Sequence, residues 1–140
     1  MPSRQDTTPA SDTPFVTVTQ GVRVRVWPSY NEGASKPEGS VFVYTYTIEI
    51  TNEGKTPVRL ISRHWIIRDG FAKTEHVRGP GVVGHQPRLE PGEAFTYTSS
   101  CPLPTPSGSM EGSYQMKTDD DRSFEAKIDE FPLVHKGLIH

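Results

Sequence analysis

Residues 41–51 read VFVYTYTIEIT, and this run decides the fold class. Phe42, Tyr44, Tyr46, Ile48 and Ile50 share one parity, while Val43, Thr45, Thr47 and Glu49 share the other. A strand turns successive side chains to opposite faces, so the run has one aromatic and aliphatic face and one more polar face. Its β-branched and aromatic content suits a sheet with a single core face.

The same period of two extends outward in both directions. Upstream, Asn31–Gly39 (NEGASKPEG) is a loop by composition, preceded by Val22, Val24 and Val26 with Arg23 and Arg25 opposite them, closed by Trp27-Pro28. Downstream, Asn52–Lys55 is a hairpin-type turn in which Gly54 can take positive φ, and a third strand is expected over Val58–Arg68, ending at Asp69-Gly70. Phe95 and Tyr97 then alternate with Thr96 and Thr98. Cys101–Gly108 (CPLPTPSG) is too rich in proline for a central strand. Met110, Gly112, Tyr114 and Met116 alternate with Glu111, Ser113, Gln115 and Lys117. Past the acidic turn Asp119–Asp121, Phe124, Ala126 and Ile128 point inward, and Phe131 and Leu133 continue the strand beyond Pro132.

About six or seven short strands at such spacing predict an all-β antiparallel β-sandwich, immunoglobulin-like or fibronectin III-like. Tyr44, Tyr46, Ile48, Trp65, Phe95 and Tyr114 are expected to meet in its core. A lone cysteine, Cys101, excludes the disulfide-bonded antibody type.

With 140 residues the chain is long enough for one domain, expected over residues 15–134, between a disordered arm (1–14) and a tail (135–140). A net charge of -2 and a pI near 6.2 give no basic field for nucleic acid or an anionic membrane. No apolar run is long enough to span a bilayer, and residues 1–14 lack the apolar segment of a secretory signal. With one thiol and no export signal, the expected compartment is the cytoplasm. No residue pattern fixes an oligomeric state.

Candidate chemistry concentrates in Ser62–Pro87, SRHWIIRDGFAKTEHVRGPGVVGHQP. Gly79-Pro80-Gly81-Val82-Val83-Gly84 spells G-x-G-x-x-G, but His85-Gln86-Pro87 follows, so no helix opens there to receive a pyrophosphate. Two readings stand. Gly79, Gly81 and Gly84 form an anion-binding nest with Arg78, and Arg63 or Arg68, at its mouth, or the glycines merely shape a connection between sheets. Arg63 itself falls on the face of Ile61, Trp65 and Ile67, where an unpaired charge is expensive. A bulge re-aims it, its stem snorkels beside Trp65, or it points into a cleft toward an anionic partner. His64, His76 and His85 lack metal-ligand spacing, and His64 falls opposite Trp65, so no metal site or cofactor is expected. Cys101 has no evident base, so no catalytic residue is assigned.

SRHWIIRD (Ser62–Asp69), VRGPGVVGHQP (Val77–Pro87), LEPGEAFTYTSSCPLPTPSGSMEGSYQM (Leu89–Met116) and the closing FPL resemble the bacterial ApaG family over about Phe15 to Leu133. The resemblance implies a fibronectin III-like sandwich without known catalytic activity, a genetic link to cobalt and magnesium resistance, and a gene neighbouring a diadenosine tetraphosphate hydrolase. Related domains in F-box and DNA-polymerase-interacting proteins look like protein-binding modules. Pro80 and His85 depart from the acidic residues common at those places, which weakens a cation role for the glycine loop. The expectation is thus a non-enzymatic binding module for a protein partner, with His85, Arg63, Arg78 and the three glycines as candidate ligand contacts. The alternatives are a pyrophosphate or nucleotide-anion binder and an indirect part in cobalt or magnesium homeostasis.

Overall fold

The computed structural model describes residues 13–135. Residues 1–12 and 136–140 fall outside it, and with them most of the expected arm and tail. The described residues form β1 (Phe15–Thr19), β2 (Val22–Tyr30), β3 (Phe42–Asn52), β4 (Val58–Asp69), β5 (Thr74–Pro80), β6 (Arg88–Leu89), β7 (Ala94–Leu103), β8 (Gly108–Thr118) and β9 (Ser123–Leu133). Two antiparallel sheets face each other, as the alternation predicted. One has the order β1-β2-β3-β7 and the other β5-β4-β8-β9, with β6 added to β4. Among the described residues no helix is long and apolar enough to cross a membrane.

The deciding run behaves as read. Every even residue from Phe42 to Ile50 is buried, and Ile48 and Ile50 are fully enclosed. Facing them from the second sheet are Leu60, Trp65, Met110, Tyr114, Met116 and Ile128. Trp65 meets Tyr46 edge-on at 5.4 Å between ring centroids, and Tyr114 and Phe131 at 6.4 and 6.2 Å. Phe95, expected in the centre, packs against this core from its margin and remains partly exposed.

β4 departs from strict alternation. Its pairing with β8 slips between Leu60 and Ser62, leaving Ile61 as an extra residue in a bulge. That insertion lets Leu60 and Trp65, which have opposite parity, both face inward. Beyond the bulge Arg63, Trp65 and Ile67 share a face, as expected.

Three strands went unforeseen, β1, β5 and the two-residue β6. β1 and β5 are edge strands with little buried apolar surface, and in β5 (TEHVRGP) the one aliphatic residue is Val77, half-buried. The proline-rich segment is also partly strand, since Pro102 and Leu103 extend β7. β7 lies at the sheet's edge, and the bond from Asn52 N–H to Glu93 O sets the odd residues of β7 against β3. Pro102 thus turns its missing donor away from the ladder, where no bond is lost.

The sandwich is closed along one side and open along the other. On the closed side, β1 leans on β9: the Thr19 and Thr17 hydroxyls accept the Lys127 and Asp129 N–H groups at 3.1 Å each. Phe15 stacks on Phe131 nearby. On the open side, the sheets end in β5 and β7, which have no strand beyond them among the described residues.

Candidate binding site at the open edge

Cross-strand neighbours in an antiparallel pair share a face. β5 is registered so that Arg63 sits opposite Gly79, Trp65 opposite Val77, and Ile67 opposite Glu75. These six positions form the inner margin of the open side. Gly81 N–H bonds to Ile61 O at 2.9 Å and Asp69 N–H to Lys73 O at 3.1 Å. In an antiparallel ladder such pairs recur at every second residue, so the odd residues of β5 bond to β4. The N–H groups of Thr74, His76 and Arg78 therefore point out from the free edge.

Arg63 is the one cation on the inner face of β4. Its stem lies on that face and its guanidinium passes beneath Gly79, where a Cβ would come within 3.0 Å of both Nη1 and Nη2. Nη1 then donates to Pro80 O at 3.0 Å and to Gly81 O at 2.9 Å. The two carbonyls partly satisfy a charge that would be costly to bury unpaired. The stem thus runs beside the core, as one of the three readings has it, and the head opens into a cleft. The bulge exists but re-aims Leu60 against Trp65 rather than Arg63.

That cleft, of about 250 Å³, lies between the inner faces of β4, β5 and β7. Arg63, Trp65, Glu75, Val77, Ser99 and Cys101 help to line it. Burial, then the Glu75 carboxylate, pushes the Cys101 thiol up to about 11. A thiol held protonated in this way is packing material rather than a nucleophile.

Of the two readings of the glycine loop, the geometry follows the one in which the glycines shape a connection. Gly79 lies inside β5. Gly81, at φ +58, spends its N–H on Ile61. Val82 and His85 exchange both backbone bonds at 2.8 Å, enclosing Val83 (φ 40) and Gly84 (φ +85) in a tight turn with positive φ at both central residues. The three glycines therefore serve three separate backbone needs, and their amides share no concavity. His85 lays its ring 5.7 Å from that of Phe95, so the loop folds over the Phe95 end of β7.

Arg78 and Arg63 project from opposite faces of the sheet. Arg78 is exposed on the outer face opposite His64. Arg68, also outside, is engaged with Glu111 at 2.7 Å and Glu130 at 3.5 Å. The outer face holds one arrangement that spacing did not reveal. His64 and His76 stack at 5.1 Å, with Nε2 of one 2.9 Å from Nδ1 of the other. The strand β5 was needed to see that residues so far apart in sequence become diagonal neighbours. Among the described residues no group of three or more potential metal ligands is gathered.

A family model for the ApaG domain matches residues 32–118. The chain is 57% identical over 113 residues to Protein ApaG of Maricaulis maris (strain MCS10), covering 81% of this chain and 87% of the relative. To Protein ApaG of Methylobacterium sp. (strain 4-46) it is 55% identical over 115 residues, covering 82% and 88%. A Bordetella pertussis crystal structure bearing the name ApaA superposes with a TM-score of 0.78 at 47% identity, covering 87% of this chain and 96% of that one. The C-terminal domain of wzt superposes at 0.52 with 10% identity over 93% and 82% of the two chains, a likeness of fold alone.

Proposed function

The chain belongs to the ApaG domain family, and on that premise we propose that it is a non-catalytic binding module of the cytoplasm that takes up an extended segment of a partner protein along the free edge of β5. One contrast carries the reading. The N–H groups of Lys127 and Asp129 on β9 are covered by threonine hydroxyls, while among the described residues the edge of β5 has no such cover. Unpaired edges template further strands, and folds that do not use them blunt them with prolines, charges or a covering segment. A partner strand bonding to Thr74, His76 and Arg78 would gain backbone bonds from the edge and specificity from alternate side chains in the cleft. β7 is the poorer acceptor, because Pro102 and Pro104 lack donors at one end and the glycine loop folds over the other. The buried, protonated Cys101 supports a role other than nucleophilic catalysis.

A display library of random twelve-residue peptides, selected on the immobilised chain, tests this. The tightest binder is titrated into isotope-labelled protein and the amide shifts are mapped. Shifts should centre on Thr74, His76 and Arg78. Shifts centred elsewhere, or a selection that recovers no binder, would overturn the proposal.

A further inference from the structure

Resting on the strand-edge reading, we infer that the cleft chooses its partner strand by a charge pattern: an acidic side chain against Arg63, an apolar one over Val77 and a basic one against Glu75, at alternate positions.

Arg63 has donors to spare. Nη1 is engaged with the Pro80 and Gly81 carbonyls, while Nε and Nη2 have no hydrogen-bond partner among the described residues. Neither atom is sealed away as a buried orphan; Arg23 Nε is the one such atom found. The guanidinium fork therefore presents Nε–H and Nη2–H side by side, the geometry that receives a carboxylate through two parallel bonds. No carboxylate of the described residues forms an ion pair with Arg63. Gly79 leaves the guanidinium room in this position, since a Cβ there would press on it at 3.0 Å.

At the other end of the same face stands Glu75, exposed and likewise without an ion-pair partner among the described residues. Arg63 and Ile67, the residue opposite Glu75, are four positions apart, or about 13 Å along the strand. Between them lies Val77, backed by Trp65. An added strand places its residues opposite Gly79, Val77 and Glu75 on this inner face, two apart from one another. Running antiparallel to β5, it would read acid-x-apolar-x-base from N to C, and running parallel, the reverse. The cleft, at about 250 Å³, accommodates side chains rather than a larger organic ligand. A charged residue opposite its like would be rejected, so the pattern discriminates as well as attracts.

The peptides selected above carry the test. Wild-type protein should enrich an acid and a base four positions apart with an apolar residue between them. Changing the acid of the best peptide to its amide should weaken binding about five- to tenfold, and Arg63→Gln should abolish that difference. Glu75→Lys, an exposed change that leaves the core untouched, should replace the selected base by an acid. Peptides that shift Thr74, His76 and Arg78 yet show no charge pattern would sink the charge selection while leaving the strand-edge reading intact. Binding mapped elsewhere would sink both. Acetate or phosphate alone saturating Arg63 at micromolar concentration would reassign the cleft to a small anion and overturn the inference. Concentration-dependent self-association shifting the β5 amides, detected by sedimentation, would make a second copy the occupant and overturn it equally.

Discussion

The phenolic oxygens of Tyr97 and Tyr114 meet 2.5 Å apart between the two sheets, where Tyr114 is fully enclosed. They face each other from β7 and β8, so this polar contact ties the sheets together inside a largely apolar core. Tyr114→Phe should leave the Tyr97 hydroxyl buried without a partner and cost about 1–3 kcal/mol. Removing both hydroxyls should cost less than the sum of the single changes. Denaturant titration of the four proteins checks this, and strict additivity would show that the contact is energetically idle.

High pH should unfold the protein. Burial raises the ionisation of Tyr46, Tyr97 and Tyr114 above the ordinary phenol value, pushes Tyr44, helped by Tyr30, up to about 12, and pushes Cys101 up to about 11. Each group keeps its proton more tightly when folded. Its contribution is therefore complete below the unfolded-chain pKa and drains as pH climbs toward the folded value. The urea midpoint should stay level up to about pH 9, the ordinary thiol range, and fall steadily between about pH 9 and 12. Cys101→Ala should flatten the first part of that fall. A midpoint that does not move up to pH 12 would contradict the burial assigned to these groups.

Two glycines of one loop should respond very differently to alanine. At Gly81 a Cβ would come 2.2 Å from His85 O, on top of a φ of +58. Gly84 has comparable φ, +85, but nothing within 4 Å of the added atom. Gly84→Ala should cost about 1–2 kcal/mol for the left-handed backbone alone, and Gly81→Ala clearly more. Thermal melting of the pair ranks them; equal losses would mean that the turn relaxes freely around residue 81.

His64 should titrate below ordinary imidazole. Desolvation, then Arg78 and His76, hold His64 below 6.5. Any stability linked to this depression is present above 6.5 and is lost as pH falls through the folded value. Ring-proton NMR should give His64 a depressed midpoint that rises in His76→Asn and in Arg78→Gln. An unchanged midpoint in both variants would leave the ring pair without electrostatic consequence.

Trp65→Ala should cost about 3–5 kcal/mol, since the ring is 2% exposed and its removal opens a cavity against Tyr46, Tyr114 and Phe131. Chemical denaturation measures it directly, and a loss below 1 kcal/mol would show that the core collapses into the space.

Much of the sandwich was legible in the chain because strands with one buried face must alternate, as Phe42–Ile50 and Met110–Met116 do. β5 was not legible, because an edge strand solvated on both faces has no apolar period to read, and its one aliphatic residue, Val77, looks like loop composition. The candidate site suffered from the same gap. Arg63 stood out as a charge at a core parity, but its companions Glu75 and Gly79 lie on the strand that periodicity could not find. Counting by two links Arg63 to Trp65 along its own strand, while the fold also links it across to Gly79. The glycine spacing drew attention as text, yet Gly79, Gly81 and Gly84 answer to different backbone demands that only the turn at Val82–His85 makes visible.

The threonine cover over β9 bears on more than recognition. A domain with two bare flanks could stack head to tail without limit, each copy offering the next a template, which is how sheets run on into fibres. With Thr17 and Thr19 occupying the amides of one flank, growth from the bare flank stops after a single addition. Removing both hydroxyls would therefore do more than loosen a contact: it would turn a chain terminator into a monomer for polymerisation.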